Sequence, residues 1–221
     1  MGKYKAVLWD LDGTLIASPN TYYKTLENLC DRFSFSVPKT VPAGACLYTM
    51  WDSLIHQGSP QLTFENFLDE IHDACLSHLT PASLRDNIGE VVLTLNKTQF
   101  KQACVSNGMA YYINEALMKT EIAPYFEHWI GRDNVAEGKP SPVPYLTSSL
   151  SFKIEPTDCL VIEDTPLGVD AAKRAGMTAV AFPNEHSRDA SFSQADYIVE
   201  DIRELYELLG VERLSRVVGW E

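Results

Sequence analysis

The sequence predicts an α/β fold, in which a parallel β-sheet is covered by helices on both faces. Two observations lead to this prediction: short apolar runs that end in polar turn sequence, and helical periodicity in the stretches between them. Such alternation is typical of βαβ units. A third observation is a long early segment with helical periodicity alone, which predicts a helical insertion after the first strand.

Five apolar runs predict the strands. Each run has the length of a buried strand and continues into polar, Gly-containing or Pro-containing sequence. Ligands of parallel sheets bind beyond the carboxyl ends of the strands, so the residues after these runs are candidates for a functional site. The runs are Lys5–Trp9, Phe100–Val105, Cys159–Ile162, Thr178–Phe182 and Asp196–Val199.

Apolar residues at helical spacing predict the helices. Between the later strands they are Tyr111–Lys119, Val143–Phe152, Pro166–Ala175 and Ile202–Leu209. The segment from Ala17 to Leu84 contains no convincing buried strand, and we predict a helical insertion there. Its three helices are Thr21–Phe33, Ala45–His56 and Phe64–Leu79.

Composition and charge limit the possible functions. The formal net charge of −12 disfavours nucleic acid and anionic membranes as partners, so a phosphate site would need local positive charge. No apolar run approaches the roughly 20 residues of a membrane span, and no secretory signal is visible, so we expect a cytoplasmic protein. The five cysteines form no C-x-x-C pair, which favours free thiols over a zinc site.

Four polar clusters are candidates for chemistry. Asp10 and Asp12 lie two residues apart just after a strand, so their carboxylates can point the same way, although Asp-Gly is also common in ordinary turns. The other three each have a structural alternative as well: a helix N-cap, a surface lysine and a helix-capping pair. In the same order, the three clusters are Ser106-Asn107-Gly108, Lys139-Pro140 and Glu163-Asp164.

Taken together, the clusters match one family in order and spacing. The motifs WDLDGTL, VSNG, GKPSP and VIEDTPLGVDAAKRAGM resemble the haloacid dehalogenase superfamily, in the helical-cap branch that includes small-molecule phosphatases and β-phosphoglucomutase. The resemblance implies a Rossmann-like parallel sheet core with an inserted helical cap domain. Residues 1–16 and 85–221 would form the core, and residues 17–84 the cap.

The resemblance also implies roles for individual residues. Asp10 would be the nucleophile that forms an aspartyl-phosphate, and Asp12 the general acid and base. Mg²⁺ would be held by Asp10, the Asp12 backbone carbonyl and Asp164, with Glu163 as an outer or occasional ligand. The transferring phosphoryl oxygens would be held by Ser106, the Asn107 amide and Lys139.

The function expected from this resemblance is hydrolysis of a small phosphorylated metabolite by a monomer or homodimer. Dehalogenase relatives lack the second aspartate, so Asp12 favours phosphoryl transfer. One alternative is a β-phosphoglucomutase-like mutase, which needs a cation in the cap; the run Tyr48–Leu54 has none. A remote alternative is a non-catalytic interaction domain. The sequence does not decide which cap residues contact the substrate; the candidates are Asn20, Tyr23, Tyr48 and Trp51.

Overall fold

The computed structural model describes residues 3–17, 19–36, 47–56, 62–98 and 100–213. The side chains at positions 19, 20, 22 and 23 are not described, so the predictions for Asn20 and Tyr23 lie outside the described residues. The first two residues of the predicted helix Ala45–His56 and the chain after residue 213 also lie outside them.

Within the described ranges, a six-stranded sheet forms the centre of the molecule. All its strand pairs are parallel, and the order is β3-β2-β1-β4-β5-β6. The direction of chain progression reverses between β1 and β4, where ligands of such sheets bind. The strands are β1 (Ala6–Trp9), β2 (Lys101–Val105), β3 (His128–Ile130), β4 (Cys159–Glu163), β5 (Thr178–Ala181) and β6 (Tyr197–Ile198).

Helices cover both faces of the sheet. Four helices of the described residues lie between β1 and β2 in the chain. The last of them, α4, packs on β2, and the first three come before it. They form the predicted helical insertion, where α1 packs against α3. The helices are α1 (Pro19–Arg32), α2 (Leu47–Ile55), α3 (Phe64–Ser77), α4 (Ile88–Lys97), α5 (Ala110–Lys119), α6 (Val143–Phe152), α7 (Pro166–Arg174) and α8 (Leu205–Leu209).

Two apolar clusters hold the layers together. Every residue of β1 and β4 is buried, as expected for central strands that are covered on both faces. On one face, Trp9 belongs to a cluster that also includes Phe67 and Ile71 of α3, so the inserted helices share a core with the sheet. On the other face, Leu8 packs in a cluster with Tyr145.

The predicted elements are found within about two residues of their expected positions, and Ile202–Glu204 forms a 3-10 turn that leads into α8. Two elements were missed. Helix α4 contains Gly89 and the β-branched Val91 and Val92, which are weak helix formers in isolation. Strand β3 has three residues at the sheet edge, too few for a periodic pattern. Among the described residues, no helix is long and apolar enough to cross a membrane.

Candidate active site

Three acidic side chains meet at the carboxyl edge of the sheet. Asp10 follows β1, Glu163 ends β4 and Asp164 follows it, and all three residues are buried. Each offers a carboxylate oxygen, and these oxygens lie within 4.8 Å of one another. The backbone N–H of Asp10 donates to the carbonyl of Ile162 at 3.0 Å, which keeps the two strand ends in register.

Lys139 supplies positive charge to this cluster. Its Nζ lies 2.7 Å from Oδ1 of Asp10 and 2.5 Å from Oε1 of Glu163, and only 3% of its side chain is exposed. The hydroxyl of Tyr145 donates to the same Glu163 oxygen at 2.7 Å. Lys139 is therefore a buried ion-pair partner rather than the surface lysine that was the alternative interpretation.

The VSNG loop lies at the end of β2, beside β1. The Asn107 side chain holds the Lys139 backbone: Oδ1 accepts from the Lys139 N–H at 2.8 Å, and Nδ2 donates to the Lys139 carbonyl at 3.2 Å. Ser106 is buried, and its Oγ accepts from the Gly108 N–H at 3.1 Å. The loop and Lys139 thus form one hydrogen-bonded unit at the edge of the site.

Asp12 lies in a tight turn after β1. The N–H groups of Leu15 and Ile16 both donate to the Leu11 carbonyl, and Gly13 has a positive φ of 88°. A β-carbon on Gly13 would lie 2.3 Å from Oδ2 of Asp164, so only glycine allows this approach. Asp12 is half-buried, and its Oδ1 accepts a hydrogen bond from the Tyr112 hydroxyl at 2.7 Å.

Three further side chains organise the site and were missed in the sequence. Asn184 donates from Nδ2 to Oδ2 of Asp164 at 2.7 Å, and Thr14 donates from Oγ1 to Oδ1 of Asp164 at 3.4 Å. Arg85 donates from Nη1 to the carbonyls of Gly13 and Phe182 at 2.6 and 2.8 Å. Asn184 had a signal, since it follows β5 on the ligand-binding edge of the sheet; Arg85 had none.

The two cap aromatics in the described region have different surroundings. Trp51 packs inside the inserted helices, with its ring centroid 5.8 Å from that of Phe64 and 5.3 Å from that of Phe67. Tyr48 is 39% exposed, and the guanidinium of Arg132, from the loop after β3, lies 5.0 Å from its ring centroid. Trp51 is thus mainly a packing residue, whereas Tyr48 meets the α/β core.

A family model of the haloacid dehalogenase-like hydrolases matches residues 7–182, a range that includes every side chain of the acidic cluster and Lys139. The chain belongs to this family. The predicted resemblance is therefore confirmed. The four motifs that carry the resemblance all lie within the matched range.

Curated relatives of this hydrolase match most of its length. It is 28% identical over 206 residues to validoxylamine A 7'-phosphate phosphatase of Streptomyces hygroscopicus subsp. limoneus, covering 91% of this chain and 96% of the relative. It is 24% identical over 187 residues to β-phosphoglucomutase of Bacillus subtilis, with coverages of 80% and 82%.

A solved structure confirms the predicted fold class. β-Phosphoglucomutase from Clostridium difficile superposes with a TM-score of 0.78 at 20% sequence identity, covering 94% of this chain and 96% of the other. At that identity the similarity shows the fold alone. The hydrolase therefore has the α/β core with an inserted helical cap.

The electrostatics of the acidic cluster favour a bound cation. Burial raises the pKa of Asp10 to about 7; Lys139 opposes this rise, and Glu163 adds to it. Burial also raises the pKa of Asp164 well above its usual range, with Asp10 and Glu163 contributing. Three buried carboxylates face one ammonium group, so the cluster is short of positive charge.

The donor set of this hydrolase fits Mg²⁺. The groups that converge are carboxylate oxygens, which are the hard ligands that magnesium prefers. A divalent cation would balance the two excess negative charges and lower the carboxyl pKa values again. The Asp12 backbone carbonyl, which the resemblance adds to the ligands, is outside this side-chain cluster and stays a prediction.

Proposed function

We propose that this hydrolase is a magnesium-dependent phosphatase that cleaves a small phosphorylated metabolite through an aspartyl-phosphate on Asp10. The observation that carries the proposal is the buried Asp10 carboxylate, which contacts Lys139 and lies beside Asp164, with Asp12 two residues further along the same turn. Relatives named as phosphatases support the reaction class, among them phosphoglycolate phosphatase of Vibrio vulnificus.

The first step is attack of an Asp10 carboxylate oxygen on phosphorus. The bond from phosphorus to the leaving oxygen breaks, and Asp12 donates a proton to that oxygen. In the second step Asp12 takes a proton from water, whose oxygen attacks phosphorus. The bond between phosphorus and Asp10 then breaks, which releases inorganic phosphate and restores the carboxylate.

The residues around Asp10 would supply positive charge and hold the phosphoryl group in position. Ser106, the Asn107 amide and Lys139 would hold phosphoryl oxygens, while the Asn107 side chain keeps Lys139 in place. Asp10, the Asp12 carbonyl and Asp164 would hold Mg²⁺, which would neutralise the developing charge on the phosphoryl group. Lys139 would keep Asp10 ionised and therefore nucleophilic.

We assign residues 17–84 to a cap that selects the substrate, with residues 1–16 and 85–221 as the catalytic core. Tyr48 is the cap aromatic that we expect near the substrate, because it is partly exposed and faces Arg132. An organic group of the substrate would pack against the cap, and the phosphate would remain in the core.

A phosphomutase is the second candidate, because β-phosphoglucomutase is among the relatives. A mutase must hold two phosphates, and α2 contains no Arg or Lys that could meet the second one. We therefore favour discharge of the phosphoenzyme to water. Incubation with β-glucose 1-phosphate and a bisphosphate primer should release inorganic phosphate; efficient formation of glucose 6-phosphate would favour the mutase.

Asp10→Asn tests the proposed nucleophile directly. An amide cannot form the phosphoenzyme, so turnover of 4-nitrophenyl phosphate should fall by at least about 10³-fold. Rapid acid quench of the wild type with labelled substrate should trap a phosphoprotein that Asp10→Asn lacks. Asp170→Asn, which changes an aspartate that pairs with Arg174 on the surface, is the matched control. Near-normal turnover by Asp10→Asn would falsify the mechanism.

A further inference from the structure

Tyr112 joins α5 directly to Asp12. Helix α5 begins at Ala110, just after the VSNG loop, so Tyr112 lies in its first turn at the carboxyl edge of the sheet. Its side chain is buried, and its hydroxyl donates to Oδ1 of Asp12 at 2.7 Å. This hydrogen bond sets the position of one Asp12 oxygen and so restricts rotation of the carboxyl group.

Tyr112 is held in turn by the inserted helices. The ring of His72, on α3, stacks on the Tyr112 ring with centroids 4.7 Å apart and an angle of 16°. The Cys75 thiol, one turn further along α3, also interacts with the Tyr112 hydroxyl. His72 is fixed by its Nδ1, which lies 2.5 Å from the hydroxyl of Tyr111. The Tyr112 ring therefore lies between α3 and Asp12.

The chemistry of the contact is that of a phenol donor and a carboxyl acceptor. Burial raises the pKa of the Tyr112 hydroxyl well above its usual range, and the neighbouring Asp12 and Cys75 raise it further. The phenol thus stays protonated and donates to Oδ1, which can accept this bond both when Asp12 is ionised and when Asp12 carries its proton on Oδ2. Such a bond is strong enough to select one orientation of the Asp12 side chain.

We propose that Tyr112 is a positioning residue that orients Asp12 for proton transfer to the leaving oxygen, and that packing of α3 on Tyr112 makes this orientation depend on the cap. The inference rests on the proposed function, because it requires Asp12 to be the general acid. It goes beyond that function by naming the side chain that aims the acid and the helix that holds this side chain.

The proposal has a consequence that a merely structural role lacks. A poor leaving group needs the proton from Asp12, whereas 4-nitrophenolate is a stable anion and needs it little. Loss of the Tyr112 hydroxyl should therefore lower kcat/KM for phenyl phosphate by about 10-fold and for 4-nitrophenyl phosphate by less than about 3-fold. Both substrates are measured on the same enzyme preparation, so the fraction of folded enzyme cancels in the ratio of the two kcat/KM values. The two substrates also have similar shapes.

The experiment compares Tyr112→Phe with Tyr206→Phe on both substrates, with Mg²⁺ present. Tyr206 is also a buried tyrosine, and its hydroxyl donates to Oε1 of Glu90 at 2.9 Å, in a different part of the core. The ratio of the two kcat/KM values should change in Tyr112→Phe and stay at the wild-type value in Tyr206→Phe. Equal losses on both substrates, or no loss on either, would overturn the proposal.

A second variant tests the part played by α3. His72→Leu places an apolar side chain against Tyr112 but removes the stacked ring. We expect kcat/KM to fall selectively for phenyl phosphate, by about 3-fold. A ratio unchanged from wild type would refute the dependence on the cap. The proposed function is tested separately in the same assays. Wild type should hydrolyse both esters and Asp10→Asn should hydrolyse neither, whatever ratio of kcat/KM values Tyr112→Phe shows.

Discussion

The Nζ of Lys139 lies 2.7 Å from Oδ1 of Asp10, and the two side chains are only 3% and 11% exposed. The same ammonium group contacts Glu163, so one cation pairs with two buried acids. Removal of one partner from a buried ion pair leaves the other charge uncompensated in a medium of low dielectric constant. This geometry makes Lys139 important for stability, and it supports the role in phosphoryl transfer that we propose for this residue.

Lys139→Met should therefore lower both activity and stability. We expect turnover of 4-nitrophenyl phosphate to fall by at least about 100-fold, and the free energy of unfolding in urea to drop by about 3 kcal/mol. Lys173→Met is the control, because Lys173 forms a partly exposed pair with Asp196 at 2.7 Å. That variant should lose less than about 1 kcal/mol and keep its activity. A stable, active Lys139→Met enzyme would contradict the role assigned to this residue.

Asn184→Ala should raise the Mg²⁺ requirement without removing a proposed ligand. Asn184 donates to Oδ2 of Asp164 at 2.7 Å and so orients that carboxylate. Loss of such a supporting group typically weakens metal affinity by about 10- to 100-fold. The measurement is activity as a function of Mg²⁺ concentration, together with calorimetric titration of Mg²⁺ into the protein.

Asp164→Ala should shift the same titration further, and chelator should abolish wild-type activity. Asn114→Ala, which removes the hydrogen bond from Nδ2 of Asn114 to Oε1 of Glu115, is the matched amide control. An Mg²⁺ titration of Asn184→Ala that overlays the wild-type curve would argue against this account of the metal site.

Gly168→Ala, in the first turn of α7, should disrupt the acidic cluster. A β-carbon on Gly168 would lie 1.9 Å from Cδ of Glu163, so the carboxylate must move away from Lys139 and Tyr145. We expect the variant to lose about 3 kcal/mol of unfolding free energy and most of its activity. Gly210→Ala is the control that separates steric clash from backbone strain. Gly210 has a φ of 65° but open space around it, so the variant should lose about 1 kcal/mol of unfolding free energy and keep its turnover.

His72 should make the folded state less stable in acid. Burial lowers the pKa of His72 from 6.5 to about 4, although Asp133 acts in the opposite direction. Between these two pH values the unfolded chain binds a proton at His72 that the folded protein does not, so the contribution of His72 to stability falls as pH decreases from 6.5 towards 4. The contribution of His72 to the unfolding free energy should be about 2 kcal/mol lower at pH 5 than at pH 7.5.

Urea unfolding at pH 7.5 and pH 5 measures this contribution. His72→Leu should reduce the difference in unfolding free energy between the two pH values by that amount. His78→Leu, at an exposed position just after α3, should leave the difference as in wild type. If His72→Leu retains the full wild-type pH dependence, other groups are responsible for it.

Much of the fold and part of the candidate site could be predicted from local sequence. Strands β1 and β4 are buried on both faces, so their residues are almost all apolar and are visible as short runs. Asp10, Ser106 and Asp164 directly follow strands, and parallel strands share one carboxyl edge. Helix α4 and strand β3 could not be predicted, because one is rich in poor helix formers and the other is very short.

The sequence alone determined the α/β class, the helical insertion, the family and the chemical types of the residues at the edge of the sheet. These features depend on spacing along the chain, through the periodicity of apolar residues and the order of motifs. Only the tertiary structure decided that Lys139 pairs with two acids, that Asn184 orients Asp164 and that Tyr112 contacts Asp12. Tyr112 and Asp12 are 100 positions apart, and their 2.7 Å contact arises because α5 packs between the sheet edge and α3, a packing that no local pattern encodes.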